Sequence, residues 1–69
     1  MKEVISNSVH ELRHAKRITQ EELGRALGVT RQTVIAIERG NYTPSVLLVL
    51  KIAEFFKKSV EEIFYLEKK

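Results

Sequence analysis

Residues 19–40 read TQEELGRALGVTRQTVIAIERG and contain two short amphipathic segments with a tight glycine corner between them. The first segment covers 20–27, the corner is 28–30, and the second segment covers 31–39. Two helices joined by so short a turn pack at a steep angle. The spacing therefore predicts a pair of helices in which the second is held out toward solvent.

Polar residues and glycines mark the ends of both segments. Thr19 and Glu22 are three residues apart, which is the spacing of a capping box. Gly28 follows the last apolar residue of the first segment, where a helix ends well in the left-handed conformation that glycine tolerates. Thr30 is a suitable N-cap for the second segment. Gly24 lies one residue from the apolar stripe, so we expect another helix to approach it closely.

The second segment has two different faces. At about 100° per residue, Val34, Ile37 and Glu38 fall on one face and point inward. The opposite face mixes an amide, guanidinium groups and small apolar groups, at Gln32, Ile35, Ala36 and Arg39, with Arg31 at the leading end. Glutamine pairs with adenine, arginine pairs with guanine or phosphate, and apolar side chains contact the thymine methyl group. The pattern indicates a helix that reads base edges in the major groove of DNA.

The stretch TQEELGRALGVTRQTVIAIERGNYTPS resembles the helix-turn-helix of the Cro/XRE-type transcriptional regulators, the family of the lambdoid phage repressors. The similarity extends from about Asn7 to Phe64, and the ending SVEEIF is similar to that of the short cytolysin-repressor-like members. The resemblance implies an all-α, five-helix, lambda-repressor-like DNA-binding domain with its helix-turn-helix proper at 20–39. Some short members pair an N-terminal segment with the chain end, so a small antiparallel ladder between the two ends is a further expectation.

The size and charge of the chain fit this class. The chain has 69 residues, a net charge of +3 and no cysteine, so we expect a single domain, 1–69, without disulfides or Cys-based zinc sites. A charge of +3 suits binding to phosphates but is also ordinary for a soluble protein. The longest apolar run, 46–50, is much shorter than the about 20 residues of a membrane span, and residues 1–8 lack a signal-peptide pattern. We therefore expect a cytoplasmic protein that does not enter a membrane.

The resemblance also implies which residues contact DNA. The family equivalents of Gln20, Arg31 and Gln32 bind phosphate and bases, and all three residue types are suitable here. Ile35 and Ala36 stand where the family varies, so the preferred bases cannot be carried over. The full set of expected contacts is Gln20, Thr30, Arg31, Gln32, Thr33, Ile35, Ala36, Arg39, Asn41 and Tyr42.

An ion pair between Arg13 and Glu38 is expected to join the first helix to the third. In the resembling family the equivalent arginine and glutamate pair, and a glutamate that projects inward needs a cation. The alternative is a pair of solvated surface charges. Arg17 departs from the family, which usually has glycine where the first helix ends. Either Arg17 adopts a strained left-handed conformation or the helix ends differently, and its charge could reach a phosphate.

The segment His10-Glu11-Leu12-Arg13-His14 matches the HExxH pattern of zinc peptidases. Glu38 could be proposed as a third ligand. We reject this interpretation because the histidines point away from the apolar face of their helix and Glu38 has a better partner in Arg13. A chain of this size also has little room for a substrate cleft. No metal, no cofactor and no enzymatic activity are therefore expected.

The remaining helices are predicted from caps and apolar spacing. The first helix is expected at about 8–16, with Ser8 and Glu11 in capping-box spacing. The fourth is expected to begin with Pro44 as its first residue and to end near Phe56. The inward stripes are expected to consist of Leu23, Ala26 and Leu27 in the second helix and of Val46, Val49, Ile52, Ala53 and Phe56 in the fourth.

A final short helix is predicted at 60–64, opened by Ser59 and Glu62. The fourth helix is apolar on more than one side, which indicates a second buried face. We expect that face and the last helix to form a homodimer contact, and the alternative is that its leucines complete the monomer core. The outer leucines in question are Leu47, Leu48 and Leu50.

These observations predict a sequence-specific transcriptional regulator that binds double-stranded DNA. The helix at 31–39 would enter the major groove, and a homodimer would bind an inverted-repeat operator. Repression is favoured over activation because so small a chain has little surface with which to recruit polymerase. No binding site for a small-molecule effector is evident. The rival interpretations are a protein-interaction module, for example an antitoxin, and the zinc peptidase rejected above.

Overall fold

The structure, a computed structural model, describes residues 3–68. Over this range the elements are, in chain order, β1 (Glu3–Asn7), α1 (Val9–Ala15), α2 (Gln20–Leu27), α3 (Arg31–Glu38), α4 (Val46–Phe56), α5 (Val60–Ile63) and β2 (Phe64–Lys68). The expectation of five helices with a small ladder between the chain ends is confirmed. None of the helices within residues 3–68 is long and apolar enough to cross a membrane.

The two strands form an antiparallel ladder in which Glu3 lies opposite Lys68 and Asn7 lies opposite Phe64. The ladder continues directly from α5, because Phe64 has an extended backbone with φ −119° and ψ 135°. Phe64 was expected in the last helix, which in fact ends one residue earlier. The Ser8 N–H donates to the carbonyl oxygen of Ile63 at 2.9 Å, so both chain ends are attached to the helical core.

The hydrophobic core takes at least one side chain from every helix. Its nine buried apolar residues are Val9, Leu23, Leu27, Val34, Ile37, Leu48, Ile52, Phe56 and Ile63. The buried face of α2 centres on Leu23, Gly24 and Leu27, so Ala26, expected on that stripe, lies at its edge and is exposed. The core thereby fixes which side of α3 remains outside.

The start of α4 differs from the sequence prediction. Ser45 is the N-cap, and its Oγ accepts a hydrogen bond from the Leu48 N–H at 3.2 Å. The helix therefore begins at Val46, and Pro44 precedes the cap instead of opening the helix. Serine can accept this hydrogen bond whereas proline offers neither donor nor side-chain acceptor, which explains why the cap lies at 45.

The buried stripe of α4 also differs from the prediction. Leu48, Ile52 and Phe56 are buried at spacings of four residues, whereas Val46 is 75% exposed. Leu48 was expected on the outer side together with Leu47 and is instead part of the core. The stretch VLLVL is apolar at every position, so its periodicity does not show which face is buried.

The N-terminal cap of α1 also differs from the sequence prediction. The Ser8 side chain makes no capping hydrogen bond, so the expected box with Glu11 is absent. Instead, Asn7 Oδ1 accepts from the Val9 N–H at 3.1 Å, and Asn7 Nδ2 donates to the carbonyl oxygen of Ile37 at 2.9 Å. An asparagine that also reaches the end of α3 displaces the serine, because its amide satisfies two backbone groups at once.

Two residues other than glycine have a left-handed backbone, Arg17 with φ 58° and Lys57 with φ 57°. Each lies at the end of a helix. The N–H of Arg17 donates to the carbonyl oxygen of His14 at 3.0 Å, and that of Lys57 donates to Glu54 at 3.2 Å. This conformation costs about 1–2 kcal/mol for a residue with a Cβ atom. Of the two alternatives for Arg17, the strained conformation is the one observed.

The corner between α2 and α3 folds directly over Gly24. A Cβ atom at this position would lie 2.8 Å from the carbonyl oxygen of Val29 and 3.3 Å from the carbonyl carbon of Thr30. The Val29 N–H also donates to the Gly24 carbonyl at 2.9 Å. Gly28 ends α2 in the left-handed conformation, with φ 77°, as predicted. The angle of α3 on α2 thus depends on a residue without a side chain at 24.

The variant Gly24→Ala tests this close approach, because helix propensity and steric overlap predict changes of opposite sign in the free energy of unfolding. Helix propensity alone would stabilise the protein by about 1 kcal/mol. The overlap with the backbone of Val29 predicts instead a loss of about 1–3 kcal/mol in the free energy of unfolding, measured by urea denaturation. Ala26→Gly, at an exposed position of the same helix, is the control and should cost about 1 kcal/mol. A Gly24→Ala protein more stable than wild type would contradict the close approach.

Candidate nucleic-acid interface

The outer side of α3 is the candidate binding surface. Thr30 caps the helix as predicted, since its Oγ1 accepts from the Thr33 N–H at 3.2 Å. Val34 and Ile37 are buried, so the opposite side of the helix is turned outward. We call this side the outer face of α3, and it consists of Arg31, Gln32 and Arg39, which are exposed, and Ile35 and Ala36, which are half-buried.

An ion pair between Arg13 and Glu38 holds α3 against α1, as expected. Arg13 Nε donates to Glu38 Oε2 at 2.7 Å, and Nη2 donates to Oε1 at 3.2 Å. The two side chains are only 9% and 5% exposed. Arg13 Nη1 also donates to the carbonyl oxygen of Ile18 at 2.9 Å, so the same guanidinium fixes the loop between α1 and α2. The alternative of two solvated surface charges is wrong.

Glu38 accepts two further hydrogen bonds that the sequence analysis missed. Gln20 Nε2 donates to Oε1 at 3.2 Å, and His10 Nδ1 lies 3.2 Å from the same oxygen. We call Glu38 and its partners Arg13, Gln20 and His10 the Glu38 cluster, which joins α1, α2 and α3. The only signal in the sequence was the spacing of three residues between His10 and Arg13, which places both on one side of α1.

The Glu38 cluster keeps the carboxylate charged. Burial alone raises the pKa of Glu38, because desolvation disfavours the ionised form. The hydrogen bonds from Arg13, Gln20 and His10, together with the positive charge of Arg13, outweigh burial, so the pKa of Glu38 lies below its ordinary value. The carboxylate is therefore a permanent acceptor at neutral pH, and its partners are held in fixed orientations.

The two histidines of the HExxH pattern lie side by side on α1, with ring centroids 4.3 Å apart. Both are exposed, but His10 is directed to Glu38 and not to water alone. Between residues 3 and 68 no group of three or more His, Asp or Glu side chains is arranged to hold a metal ion. Glu38, the third ligand considered, lies within the ion pair with Arg13.

Two neighbouring concavities connect the outer face of α3 with α1 and α2. One is lined by Ile35 and Arg39 together with Gln20 and Arg31. The other contains Arg17, and it too is lined by Gln20 and Arg31. Because they share these two residues, they form one continuous surface. Both salt bridges within residues 3–68 end on Glu38, so the guanidinium groups of Arg17, Arg31 and Arg39 have no carboxylate partner in that range.

The remaining expected contacts lie on the other side of α3. Thr33 is half-buried and lines a third concavity together with Tyr42, which is 46% exposed. Asn41 is exposed in the loop after α3, and its N–H donates to the carbonyl oxygen of Ala36 at 3.0 Å. The expected residues therefore flank α3 on both sides instead of forming one cluster.

A short helix, a glycine corner and a second helix with an exposed polar face, all packed on a small helical core, define a helix-turn-helix domain. The Helix-turn-helix family model matches residues 9–63. The chain belongs to the Cro/C1-type helix-turn-helix family and is a transcriptional regulator with a helix-turn-helix DNA-binding domain.

Several relatives are similar over most of the chain. The uncharacterized HTH-type transcriptional regulator YgzD of Bacillus subtilis is 52% identical over 91% of this chain and 96% of its own length. The cryptic phage CTXphi transcriptional repressor RstR of Vibrio cholerae is 30% identical over 87% of this chain and 54% of its own. The restriction-modification controller protein C.AhdI of Aeromonas hydrophila has a similar structure, with a TM-score of 0.70 and 35% identity over 78% of each chain.

The lowered pKa of Glu38 predicts how the protein responds to acid. In the unfolded chain the carboxyl titrates near 4.5, and in the folded protein it titrates lower. Its stabilising contribution is therefore complete above pH 4.5 and is lost as the pH falls through the folded pKa. Urea denaturation at a series of pH values should show the free energy of unfolding falling below this point, by at most about 1.4 kcal/mol per pH unit for this carboxyl.

The variant Glu38→Gln removes the titrating group and should have a shallower decline in acid. Glu54→Gln, at an exposed position of α4, is the matched control and should keep the wild-type slope. Equal slopes for wild type and Glu38→Gln below pH 4.5 would show that the folded protein does not depress this pKa.

Proposed function

We propose that the protein is a repressor that binds an inverted-repeat operator in double-stranded DNA as a homodimer, with α3 in the major groove. The observation that carries this proposal is the outer face of α3. Its Arg31 and Arg39 have no carboxylate partner within residues 3–68, although the buried side of the same helix is anchored through Glu38. A rigid helix that presents uncompensated cations and an amide to solvent is suited to base edges and phosphates.

The composition of the outer face supports direct contacts with bases. Gln32 can donate to and accept from adenine, and Arg31 can donate to guanine or to a nearby phosphate. Ile35 and Ala36 add apolar groups to the same face, and such groups are suited to contact with a thymine methyl group. Each good bidentate contact discriminates against a wrong base by about 1–3 kcal/mol.

Residues at the margins of α3 are proposed to contact the DNA backbone. On one side these are Gln20 and Arg39, and on the other Thr30, Thr33, Asn41 and Tyr42. The Gln20 amide gives one hydrogen bond to Glu38. A primary amide has a second N–H and a carbonyl oxygen, so Gln20 can bind a phosphate while Glu38 holds its orientation.

An exposed apolar surface on α4 supports the homodimer. Val46, Leu47 and Leu50 are 75%, 66% and 55% exposed, and monomeric proteins seldom expose such residues together. Leu48, which the sequence predicts to lie in this surface, is buried in the core and does not contribute to the surface. A two-fold pair on this surface would have to place its two α3 helices one DNA turn apart, about 34 Å.

The role as a repressor is supported by the relative RstR, which is named a transcriptional repressor. The cytoplasmic location stays a prediction. A protein-interaction module is the second candidate, because the apolar surface on α4 would equally suit a different protein. The two candidates differ in whether isolated protein binds DNA with sequence preference.

Selection from a pool of random duplex DNA, at a fixed and stated salt concentration, tests the proposal. We expect an inverted repeat whose half-sites are about one helical turn apart. On the selected duplex, Gln32→Ala should weaken binding by about 1–3 kcal/mol and relax the preference at one position of each half-site. Glu54→Ala, at an exposed position of α4, is the control and should bind as wild type does.

Each other outcome contradicts a stated part of the proposal. Enrichment of a single half-site would contradict the homodimer. Binding without enrichment would contradict sequence specificity and leave only the phosphate interaction. Absence of binding at low salt would contradict DNA binding altogether and favour the protein-interaction module.

A further inference from the structure

We propose that Arg17 binds a DNA phosphate and so extends the DNA interface from α3 to the end of α1. This inference rests on the proposed function, because it assumes that the outer face of α3 meets DNA. It adds a contact outside the helix-turn-helix at 20–39, at a residue whose backbone conformation favours glycine.

Arg17 lies next to residues of the proposed DNA interface. Arg17 lines the same concavity as Gln20 and Arg31. Those two residues also line the concavity that contains Ile35 and Arg39 of the outer face. Arg17 is therefore on the side of the domain that α3 presents to DNA, next to the residue proposed to bind phosphate from α2.

The charge of Arg17 is the second argument. Arg17 is exposed, and neither of the two salt bridges within residues 3–68 includes it. Of the other cations that line this concavity, Arg13 is already neutralised by Glu38. The uncompensated charge here is thus carried by Arg17 and Arg31, and a phosphate between them would be attracted by both.

The backbone of Arg17 is the third argument. With φ 58°, this residue adopts a conformation in which glycine has no steric penalty and arginine does. Replacing Arg17 with glycine would therefore relieve the strain of its left-handed backbone. The fold thus does not require arginine at 17, and of the two strained residues, Arg17 and Lys57, only Arg17 lines the concavity next to α3.

Glu21 offers a simpler role for Arg17 and has to be separated from the proposal. This carboxylate lines the same concavity, although the two side chains form no salt bridge. If Arg17 served only to offset the repulsion between Glu21 and DNA, its effect on binding would depend on Glu21. If Arg17 binds a phosphate itself, its effect persists when Glu21 is neutral.

The test compares Arg17→Gly with Lys57→Gly. Both variants remove one positive charge and relieve one left-handed backbone, but Lys57 ends α4 and lines neither concavity. Binding to a random-sequence duplex of about 30 base pairs is measured between about 50 and 200 mM salt, because phosphate contacts are independent of sequence. Chemical denaturation of each variant is measured in parallel.

We expect both variants to be as stable as wild type or more so, because each relieves strain. Arg17→Gly should bind roughly threefold to tenfold more weakly at the lowest salt, and its slope of log affinity against log salt should be shallower by about one. Lys57→Gly should keep the wild-type slope, and Arg17→Gly should have the same effect in a Glu21→Gln background.

Two results would overturn the inference while leaving the proposed function intact. One is a wild-type salt slope in Arg17→Gly. The other is a loss that disappears in the Glu21→Gln background, which would make Arg17 only a neutralising partner of Glu21. If wild type itself does not bind duplex DNA at low salt, the proposed function has failed and the inference fails with it.

Discussion

The carboxylate of Glu38 is the point on which the helix-turn-helix depends. It is nearly buried, and it accepts hydrogen bonds from Arg13 on α1 and Gln20 on α2, with His10 at the same oxygen. A buried charge is costly unless it is paired and hydrogen-bonded, and here the partners of a carboxylate on α3 come from two other helices, α1 and α2. A chain of this size has a small apolar core, so a polar cluster that fixes the relative positions of α1, α2 and α3 makes a large contribution to a unique fold.

We propose that the same cluster also serves DNA recognition. α3 is oriented from inside by Glu38, and the outer face of that helix carries Arg31 and Gln32. Gln20 belongs to both systems, because one N–H of its amide is held by Glu38 and because Gln20 and Arg31 line the same concavity. Binding residues held before DNA arrives lose less conformational freedom on binding than mobile ones do. The hydrogen bond from the Gln20 amide to Glu38 would therefore lower the entropic cost of the phosphate contact proposed for Gln20.

Much of the fold could be predicted from the sequence, because the decisive signals are local. Thr30 caps α3 by accepting a hydrogen bond from the Thr33 N–H, so this cap can be predicted from four consecutive residues. Contacts between residues that are far apart in the sequence could not be predicted from such local patterns. Leu48 and Val46 lie in a stretch without periodicity, so packing and not pattern decides which of them is buried. The bond from Gln20 to Glu38 spans two helices and depends on an angle that no local motif specifies.

The measurement that tests this account most directly is the free energy of unfolding of Arg13→Ala at neutral pH. The account predicts a loss of about 3–5 kcal/mol, because the variant leaves a nearly buried carboxylate without its cation. Lys16→Ala, at an exposed position three residues on, is the matched control and should change stability by no more than about 1 kcal/mol, because it loses only a contact of its ammonium with the Phe55 ring at 5.5 Å. A loss in Arg13→Ala as small as in the control would show that the Glu38 cluster does not hold the three helices together.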